Sequence, residues 1–255
     1  LFAEPNAESG DLGLVLYDID RTNRRVITDR GFWGEFSSDG QLVAYSGANR
    51  ELHIYNLQTQ EDLLLPNAFG YDIKWSPDGN QLAYVNTDPQ SGVSINVIQA
   101  NGAGIKVIDQ HQQINPIGFS ANGETLYYSK RYLPENTDQT MHAVDLKTGA
   151  ITDFGVMPEY NAIFFDETGA GLIMVSGRTG NAYRYDLEEK VYRLLAQVND
   201  FSGGFGRLGV VWGASQLGRP YKQDQHAIVD YNQCKGWLMD YSVVGGSLVD
   251  IFITP

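Results

Sequence analysis

The chain has 255 residues, of which 42% are hydrophobic and 12% aromatic, so it has enough apolar material for a substantial core and is not a disordered segment. Its 31 acidic and 18 basic residues give a net charge of −13, which repels phosphate backbones and anionic lipid, so we expect no nucleic-acid partner and no membrane surface. No apolar run approaches the roughly 18 residues that a membrane-spanning helix needs, so direct membrane insertion is not expected. The single cysteine, Cys234, excludes an internal disulfide framework and a cysteine-rich metal site. Because the chain begins at Leu1 without a methionine, we expect a processed product or part of a longer chain.

Four similar hairpins follow one another along the chain. Each has an aromatic residue, a polar turn that ends in glycine, and an apolar run. They read FSSDGQLVAYSG from Phe36, WSPDGNQLAYVN from Trp75, FSANGETLYYSK from Phe119 and FDETGAGLIMVSG from Phe165. The leading aromatic residues lie 39, 44 and 46 residues apart. A nearly constant spacing of this length indicates a structural repeat.

A second pair of predicted strands follows each hairpin. The first strand of each pair reads LHIYNLQTQ, VSINVIQANG, MHAVDLKTG or AYRYDLEEK, and a short strand comes after it. Alternating apolar and polar positions, bounded by turn residues, predict strand-turn-strand units, and no helical periodicity of useful length is present. Each repeat is therefore predicted to be an antiparallel meander of four strands, named a to d in chain order, which is the size of a propeller blade.

The remaining segments complete a predicted ring. LGVVWGA, HAIVDYNQ and KGWLMDY give a degenerate fifth unit whose turn has become GGFGR. The N-terminal segment 12–30 reads as a c–d pair and the C-terminal segment 243–255 as an apolar strand, so the two termini are expected to share a sixth blade and to leave no exposed edge. We predict an all-β fold: one six-bladed β-propeller domain, residues 1–255, with its five other blades at about 31–68, 69–110, 111–157, 158–200 and 201–242.

The turn-and-strand pattern FSPDG-x-x-LAY resembles the TolB-like, WD40-like (PD40) β-propeller repeat. The resemblance covers about Gly31 to Leu195. The same repeat occurs in the propellers of tricorn-type and prolyl-oligopeptidase-type peptidases. The α/β domain of the TolB family and the hydrolase domain of those peptidases have no counterpart in these residues. The resemblance therefore implies the blade and no particular activity.

Motifs for catalysis and cofactors are weak. GASQLG, from Gly213, lacks the spacing of a serine-hydrolase nucleophile turn, and GGFGR lacks the lysine and helix of a phosphate loop. Cys234 has no nearby histidine and is expected to be incidental. We expect no catalytic residue and no cofactor.

Metal sites are also not expected. His53, His142 and His226 occupy equivalent places near the start of strand c, which indicates repeated packing, and with His111 they show no metal-ligand spacing. YDIDRTN, from Tyr17, offers an oxygen-ligand loop for calcium, but its alignment with the other c–d turns and the absence of further ligands favour a plain turn.

Binding is instead expected on one loop face. In an antiparallel meander the b–c and d–a loops share one end, and here they are longer and more variable than the opposite turns, the longest b–c loops being 130–140 and 215–225. Variable loops on a rigid scaffold are where binding usually lies. The candidate binding residues are Trp33, Phe69, Tyr71, His111, Tyr160, Phe201, Arg131, Tyr132, Arg219 and Tyr221. Packing between blades remains the alternative for each of the aromatic residues.

Two functions are compatible with these features. The first is a non-catalytic scaffold that binds a protein or peptide, or a subunit of a larger assembly. The second is a propeller enzyme of the lyase or glycoside hydrolase type that uses channel-mouth carboxylates such as Asp72, Glu159 and Asp200. The resemblance and the acidic charge together favour the bacterial periplasm, cell surface or exterior.

Overall fold

The computed structural model describes residues 1–5, 11–17, 23–87, 92–131, 139–158, 160, 162–166, 169–176, 181–197, 202–205, 210–214, 225–230, 235–240 and 247–248. The described residues form antiparallel β-sheets joined by turns, which confirms the all-β prediction. They divide into two compact units, one made of Leu1–Met157 with Gly246–Pro255 and the other of Pro158–Gly245. Each unit is described by itself.

The first unit contains fifteen of the strands. In chain order they are β1 (Phe2–Pro5), β2 (Leu12–Tyr17), β3 (Arg24–Thr28), β4 (Gly31–Phe36), β5 (Leu42–Gly47), β6 (Glu51–Asn56), β7 (Asp62–Trp75), β8 (Gln81–Asn86), β9 (Ser94–Gln99), β10 (Lys106–Gln110), β11 (Ile114–Phe119), β12 (Thr125–Arg131), β13 (Gln139–Asp145), β14 (Ile151–Met157) and β23 (Ser247–Leu248). Strands β11 to β14 form the four-stranded meander that the third repeat predicts.

The N-terminal sheet has the order β23-β1-β2-β3. Strand β1 pairs with β2 and also with β23, with Phe2 opposite Leu248. The sequence predicted a strand pair in 12–30 and a C-terminal strand, but it did not predict the strand at Phe2–Pro5. That segment contains a glutamate and a proline, which are poor strand formers, and the strand exists because both of its neighbours supply backbone partners.

Strand β7 belongs to two meanders at once. Its first half pairs with β6, its second half pairs with β8, and the result is a seven-stranded sheet in the order β10-β9-β8-β7-β6-β5-β4. The sequence predicted that one repeat ends at about residue 68 and that the next begins at about residue 69. Gly70 is required in this strand, because a Cβ there would lie 1.9 Å from the Val85 carbonyl oxygen.

The turns of the hairpins are built as the sequence predicted. In the second repeat the Ser76 hydroxyl donates to Asp78 Oδ1 at 2.6 Å, and the Gly79 N–H donates to the Ser76 carbonyl at 3.0 Å. Gly79 has φ of +70°, a left-handed conformation that glycine adopts at little cost. Neighbouring turns also touch, since the Ser38 hydroxyl donates to the Pro77 carbonyl at 2.6 Å.

The core of the first unit lies between successive meanders. The leading aromatic residues of the repeats contribute to it, because Phe36, Trp75 and Phe119 are each buried in a separate apolar cluster. The Trp75 indole N–H also donates to the Glu35 carbonyl at 3.0 Å, which joins one repeat to the next. Burial on both faces explains the continuous apolar runs in the b strands.

The second unit consists of two further meanders. Their strands are β15 (Ala162–Phe165), β16 (Gly171–Val175), β17 (Asn181–Asp186), β18 (Val191–Gln197), β19 (Ser202–Phe205), β20 (Val210–Ala214), β21 (Gln225–Asp230) and β22 (Lys235–Asp240). Each set of four pairs in sequence order. In the first meander Arg184 bridges Asp166 and Asp186 at 2.8 Å each. The backbone N–H of Glu189 and the Arg184 side chain, which both donate to Asp186, lower its pKa to about 2.

Candidate functional site: an aromatic cleft on the first unit

A cleft of about 580 Å³ opens on the first unit. This volume lies within the range of small-ligand pockets. We call it the aromatic cleft. Its lining consists of Phe32, Trp33, Arg50, Tyr71, Thr87, Gly92 and Val93. The residues come from the beginnings of two a strands and from loops that join strands b and c, the loop face on which the sequence predicted binding.

A β-bulge presents Trp33 to solvent. The pairing of β4 with β5 shifts between Phe32 and Glu35, so two residues stand opposite Tyr45. Trp33 has φ of +58° and its surface is 53% exposed. A bulky side chain in the left-handed region is uncommon and strained, and bulges of this kind redirect side chains next to functional sites.

The same bulge recurs in the next repeat. The register of β7 against β8 shifts between Tyr71 and Lys74, opposite the buried Tyr84, and Asp72 has φ of +52°. Asp72 is the residue equivalent to Trp33, 39 positions later. Two adjacent bulges therefore bring Trp33 and Tyr71 to the same cleft.

Three aromatic rings meet in the cleft. The Trp33 and Tyr71 ring centroids are 5.6 Å apart with the planes tilted by 34°. Phe32 meets Trp33 edge to face, with the centroids 6.5 Å apart. These separations lie in the range where aromatic pairs attract, so the rings form a continuous apolar platform.

Arg50 supplies the positive charge of the cleft. Its guanidinium carbon lies 6.0 Å from the centroid of the Tyr71 ring, within the range of a cation–π contact. Its backbone is also left-handed, with φ of +66°, and its carbonyl accepts a hydrogen bond from the Gly70 N–H at 2.7 Å. Among the residues that the structure describes, no carboxylate forms an ion pair with Arg50.

A charged cluster of Glu35, Asp72 and Lys74 lies next to the aromatic rings, on the same two a strands. Lys74 Nζ lies 2.9 Å from Glu35 Oε2 and 3.5 Å from Asp72 Oδ1. Partial removal from water raises the pKa of Asp72, whose side chain is 30% exposed, and the opposing effect of the Lys74 charge is smaller. The cluster therefore holds a carboxyl group whose charged form is destabilised by its surroundings.

The structure brings together Trp33 and Tyr71 from the predicted site, but not Phe69. The Phe69 side chain is 42% exposed and does not line the cleft, although its carbonyl accepts a hydrogen bond from the Thr87 N–H at 3.2 Å.

His111 follows strand β10 and contacts a residue of the cleft lining, whereas Arg131 is the last residue of strand β12. The His111 N–H donates to the carbonyl of Val93, a lining residue, at 3.2 Å, and the Arg131 N–H donates to the Gln113 carbonyl at 3.0 Å. The His111 ring nitrogen Nδ1 lies 2.9 Å from the Gln113 carbonyl oxygen. The buried Nε of Arg131 has no hydrogen-bond partner among the described residues.

Of the remaining predicted binding residues, the structure describes only Tyr160. Tyr160 is half-buried in the second unit. Tyr132, Phe201, Arg219 and Tyr221 lie outside the described residues, as do the carboxylates of Glu159 and Asp200, the predicted turn residues Asp18 and Asp20, and Cys234. The sequence reading missed Phe32, Arg50, Thr87, Gly92 and Val93. Of these, only Arg50 could have been suspected from the sequence, because it is the one basic residue in the short b–c loop GANRE.

Two of the histidines repeat a packing arrangement. His53 stacks on Tyr45 with the centroids 4.9 Å apart, and His142 stacks on Tyr128 at 5.4 Å, each opposite its tyrosine in the strand pairing. His226 does not share this place, because the register of β20 with β21 puts Ala227 there.

Neither a metal cluster nor a spanning helix is found in the described part of the chain. No group of three or more His, Cys, Asp or Glu side chains there is placed to hold a metal ion. No helix of those residues is long and apolar enough to cross a membrane.

No protein-family model and no curated protein sequence matches the chain. Solved structures do. TolB from Acinetobacter baumannii has a TM-score of 0.67 at 12% identity, over 96% of this chain and 64% of its own, so this chain spans less than two thirds of that protein. A chain of the nidogen/laminin complex has a TM-score of 0.65 at 11% identity, over 98% of both chains. Oligogalacturonate lyase in complex with manganese has a TM-score of 0.60 at 14% identity, over 91% of this chain and 71% of the other.

These similarities define the fold as a β-propeller of antiparallel sheets. The likeness is to TolB-like propellers, which confirms at the level of the fold the resemblance that the repeats predicted. At 11–15% identity it carries the fold alone.

Proposed function

We propose that this chain is a non-catalytic, TolB-like β-propeller that binds a protein or peptide at the aromatic cleft, as a scaffold or as a subunit of a larger assembly. The proposed domain is residues 1–255, with six blades and a ring that closes through the blade shared by the two termini. The acidic charge and the resemblance to TolB-like propellers support a place in the bacterial envelope or outside the cell.

One observation carries the proposal: Trp33 is exposed, its backbone is left-handed, and its ring contacts the ring of Tyr71. A left-handed backbone at a residue other than glycine costs on the order of 1–3 kcal/mol and persists where the surroundings impose it, often at binding sites. Exposed tryptophan and tyrosine supply most of the energy of many protein interfaces. A strained residue that displays a large aromatic ring is better explained by a ligand than by packing.

The lining favours a peptide over a carbohydrate. Sugars need many hydrogen-bonding side chains for their hydroxyl groups, whereas the cleft offers three aromatic rings, one valine and few polar groups. The nidogen/laminin complex supplies an example of a chain with this fold in a protein–protein complex.

Selection from a displayed library of random peptides tests the proposal. Peptides enriched on the immobilised chain should lose at least about tenfold in affinity when Trp33 is changed to alanine, because the platform loses its largest ring. Phe69→Ala is the matched control. It removes another exposed aromatic ring of the same sheet, and Phe69 does not line the cleft. Equal losses in both variants, or a library without enrichment, would contradict the proposal.

An enzyme of the lyase or glycoside hydrolase type is the second candidate. The similarity to oligogalacturonate lyase supports it, as does the raised pKa of Asp72 beside Lys74 and Glu35, since displaced pKa values are frequent in active sites. Turnover of an acidic oligosaccharide by the wild type, lost in Asp72→Asn, would establish this candidate. The absence of turnover over a panel of uronic-acid and neutral oligosaccharides would remove it.

A further inference from the structure

Resting on the proposed function, the geometry points to a more specific ligand: we infer that the aromatic cleft recognises a peptide carboxylate lying next to an apolar side chain, with Arg50 as the residue that reads the charge. The carboxylate is either the free C-terminus of a chain or the side chain of an acidic residue. The two sources share the chemistry and are separated by the experiment below.

The first argument is the state of Arg50. Its guanidinium has five N–H donors and a permanent charge, and in the described residues its charged group makes a contact only with the face of Tyr71, at 6.0 Å. The nearest acidic side chain in sequence, Glu51, is engaged elsewhere, because its Oε2 accepts the Asn49 N–H at 2.8 Å and its Oε1 lies 3.9 Å from His53 Nε2. Arg50 therefore retains donors for a ligand.

The second argument is the contrast between Arg50 and several other basic residues of the first unit, which form ion pairs with acidic side chains. Arg24 pairs with Glu4 at 3.1 Å, Arg30 with Asp11 at 2.7 Å, and Lys130 with Asp109 at 2.6 Å. In a chain with a net charge of −13, acidic partners are plentiful. An arginine that is held over an aromatic platform without an acidic partner among the described residues is placed for an acid from outside the chain.

The third argument is backbone strain at both recognition elements. Trp33 and Arg50 are two of the six non-glycine residues with positive φ in the described chain, and both line the same cleft. Strain of this kind is maintained where the geometry of a site requires it. The pair fixes an apolar surface and a cation in one small volume, which suits a ligand with an apolar group close to its carboxylate.

Arginine suits this role because its planar fork binds a carboxylate with two parallel hydrogen bonds. Such a contact is directional, so it sets the orientation of the ligand as well as its charge. The aromatic rings then contact the adjacent apolar side chain, which contributes affinity through burial.

Fluorescence anisotropy with the full chain and four labelled pentapeptides tests the inference. The first pair is Ser-Gly-Gly-Leu-Phe with a free C-terminus and the same peptide as an amide. The second pair is Ser-Gly-Glu-Leu-Phe amide and Ser-Gly-Gln-Leu-Phe amide. In at least one pair the acid should bind about tenfold more tightly than its neutral counterpart, which is the discrimination expected of a charge-assisted bidentate contact. The first pair reports a chain terminus and the second a side chain.

Three variants assign the effect to Arg50. Arg50→Gln should abolish the difference within the pair, and Arg50→Lys should reduce it because a single ammonium group lacks the planar fork. Arg25→Gln is the matched control, since Arg25 lies on strand β3 and donates to the Leu57 carbonyl at 2.6 Å. It should keep the difference. Circular dichroism spectra should be the same for all variants, and higher salt should narrow the difference.

The outcomes separate this inference from the proposal beneath it. If acid and neutral peptides bind equally and Trp33→Ala weakens both, the carboxylate inference is wrong and the peptide-binding function stands. If no peptide binds the wild type, both are wrong. Binding of trigalacturonate through Arg50, without binding of any peptide, would replace the peptide with an acidic sugar.

Discussion

Lys74 and Glu35 occupy the same place in two successive repeats, and their side chains meet, with Nζ 2.9 Å from Oε2. Each follows a β-bulge, one at Trp33 and the other at Asp72. The ion pair therefore ties together the two bulges that present Trp33 and Tyr71. Its side chains are only 28% and 14% exposed, so solvent screens the pair less than it screens a surface pair.

Lys74→Met should destabilise the protein by about 1–2 kcal/mol, between the values for exposed and buried pairs, because it leaves Glu35 and Asp72 as neighbouring carboxylates without their cation. Urea unfolding measures the change. Arg193→Met, which breaks the exposed pair with Glu189, is the control and should cost no more than about 0.5 kcal/mol.

A double-mutant cycle isolates the pair itself. Glu35→Gln combined with Lys74→Met should cost less than the sum of the single changes, because the two residues contact each other. Strict additivity would show that the ion pair contributes nothing to stability.

Gly79→Val should lower the melting temperature without a specific effect on ligand affinity. Nothing lies within 4 Å of a Cβ at this position, so the cost comes from placing a β-branched residue at φ of +70° and is at least about 1–2 kcal/mol. Gly79→Asn is the matched control and should be milder, since asparagine tolerates this conformation. Loss of peptide binding by Gly79→Val at unchanged thermal stability would overturn the prediction.

Acid should weaken the fold through His142. Burial, together with the Lys130 charge, lowers the pKa of His142 from its usual 6.5, against weaker opposing effects of Asp153 and Asp109 and a further lowering by His111. Because the folded state binds this proton less readily than the unfolded state, the contribution is complete above about pH 6.5 and is lost as the pH falls toward the folded pKa.

Urea unfolding at about pH 7.5 and about pH 5.5, on either side of the ordinary histidine pKa, measures this effect. His142→Asn is a suitable variant, because Asn96 takes the same place opposite Tyr84 in the preceding repeat. The variant should lose less stability on acidification than the wild type. An equal loss would mean that other groups carry the pH dependence.

Arg50→Asn should make the free protein more stable and the ligand complex weaker. Asparagine adopts φ near +66° with less strain than arginine, so the gain should be about 0.5–1 kcal/mol. Gln60→Asn, at φ of +63° in a c–d turn, is the control, with a similar gain and unchanged binding. A stability loss in Arg50→Asn would show that the arginine side chain supports the loop.

The repeats, their turns and their aromatic core could be predicted from the sequence because each depends on local patterns. Ser76 to Gly79 specify a turn by their own hydrogen bonds and backbone preferences, and the apolar runs specify burial on both faces. Trp75 illustrates this: it leads its repeat as Phe36 and Phe119 lead theirs, and like them it is buried, at 2% exposed.

The cleft could be predicted only in part. Trp33 and Tyr71 were found because they stand at the start of a strands, but the bulges that turn them have no signature, since neither Trp33 nor Asp72 is a residue that favours positive φ as glycine does. Phe32 and Val93 read as ordinary strand residues. The place of His226 was wrong by one position, because the fifth repeat reads GGFGR where the other repeats have the turn residues by which they align.

The continuous strand β7 affects how the molecule opens. A single run of backbone, Asp62–Trp75, forms strand d of one meander and strand a of the next. Neither meander can therefore detach without disrupting a strand of its neighbour. We expect the slowest amide protons of β5, β6, β8 and β9 to exchange with solvent in one shared opening event. Arg50, in the first of these two meanders, and Tyr71, in the second, should then keep their relative positions while strands farther from β7 fluctuate.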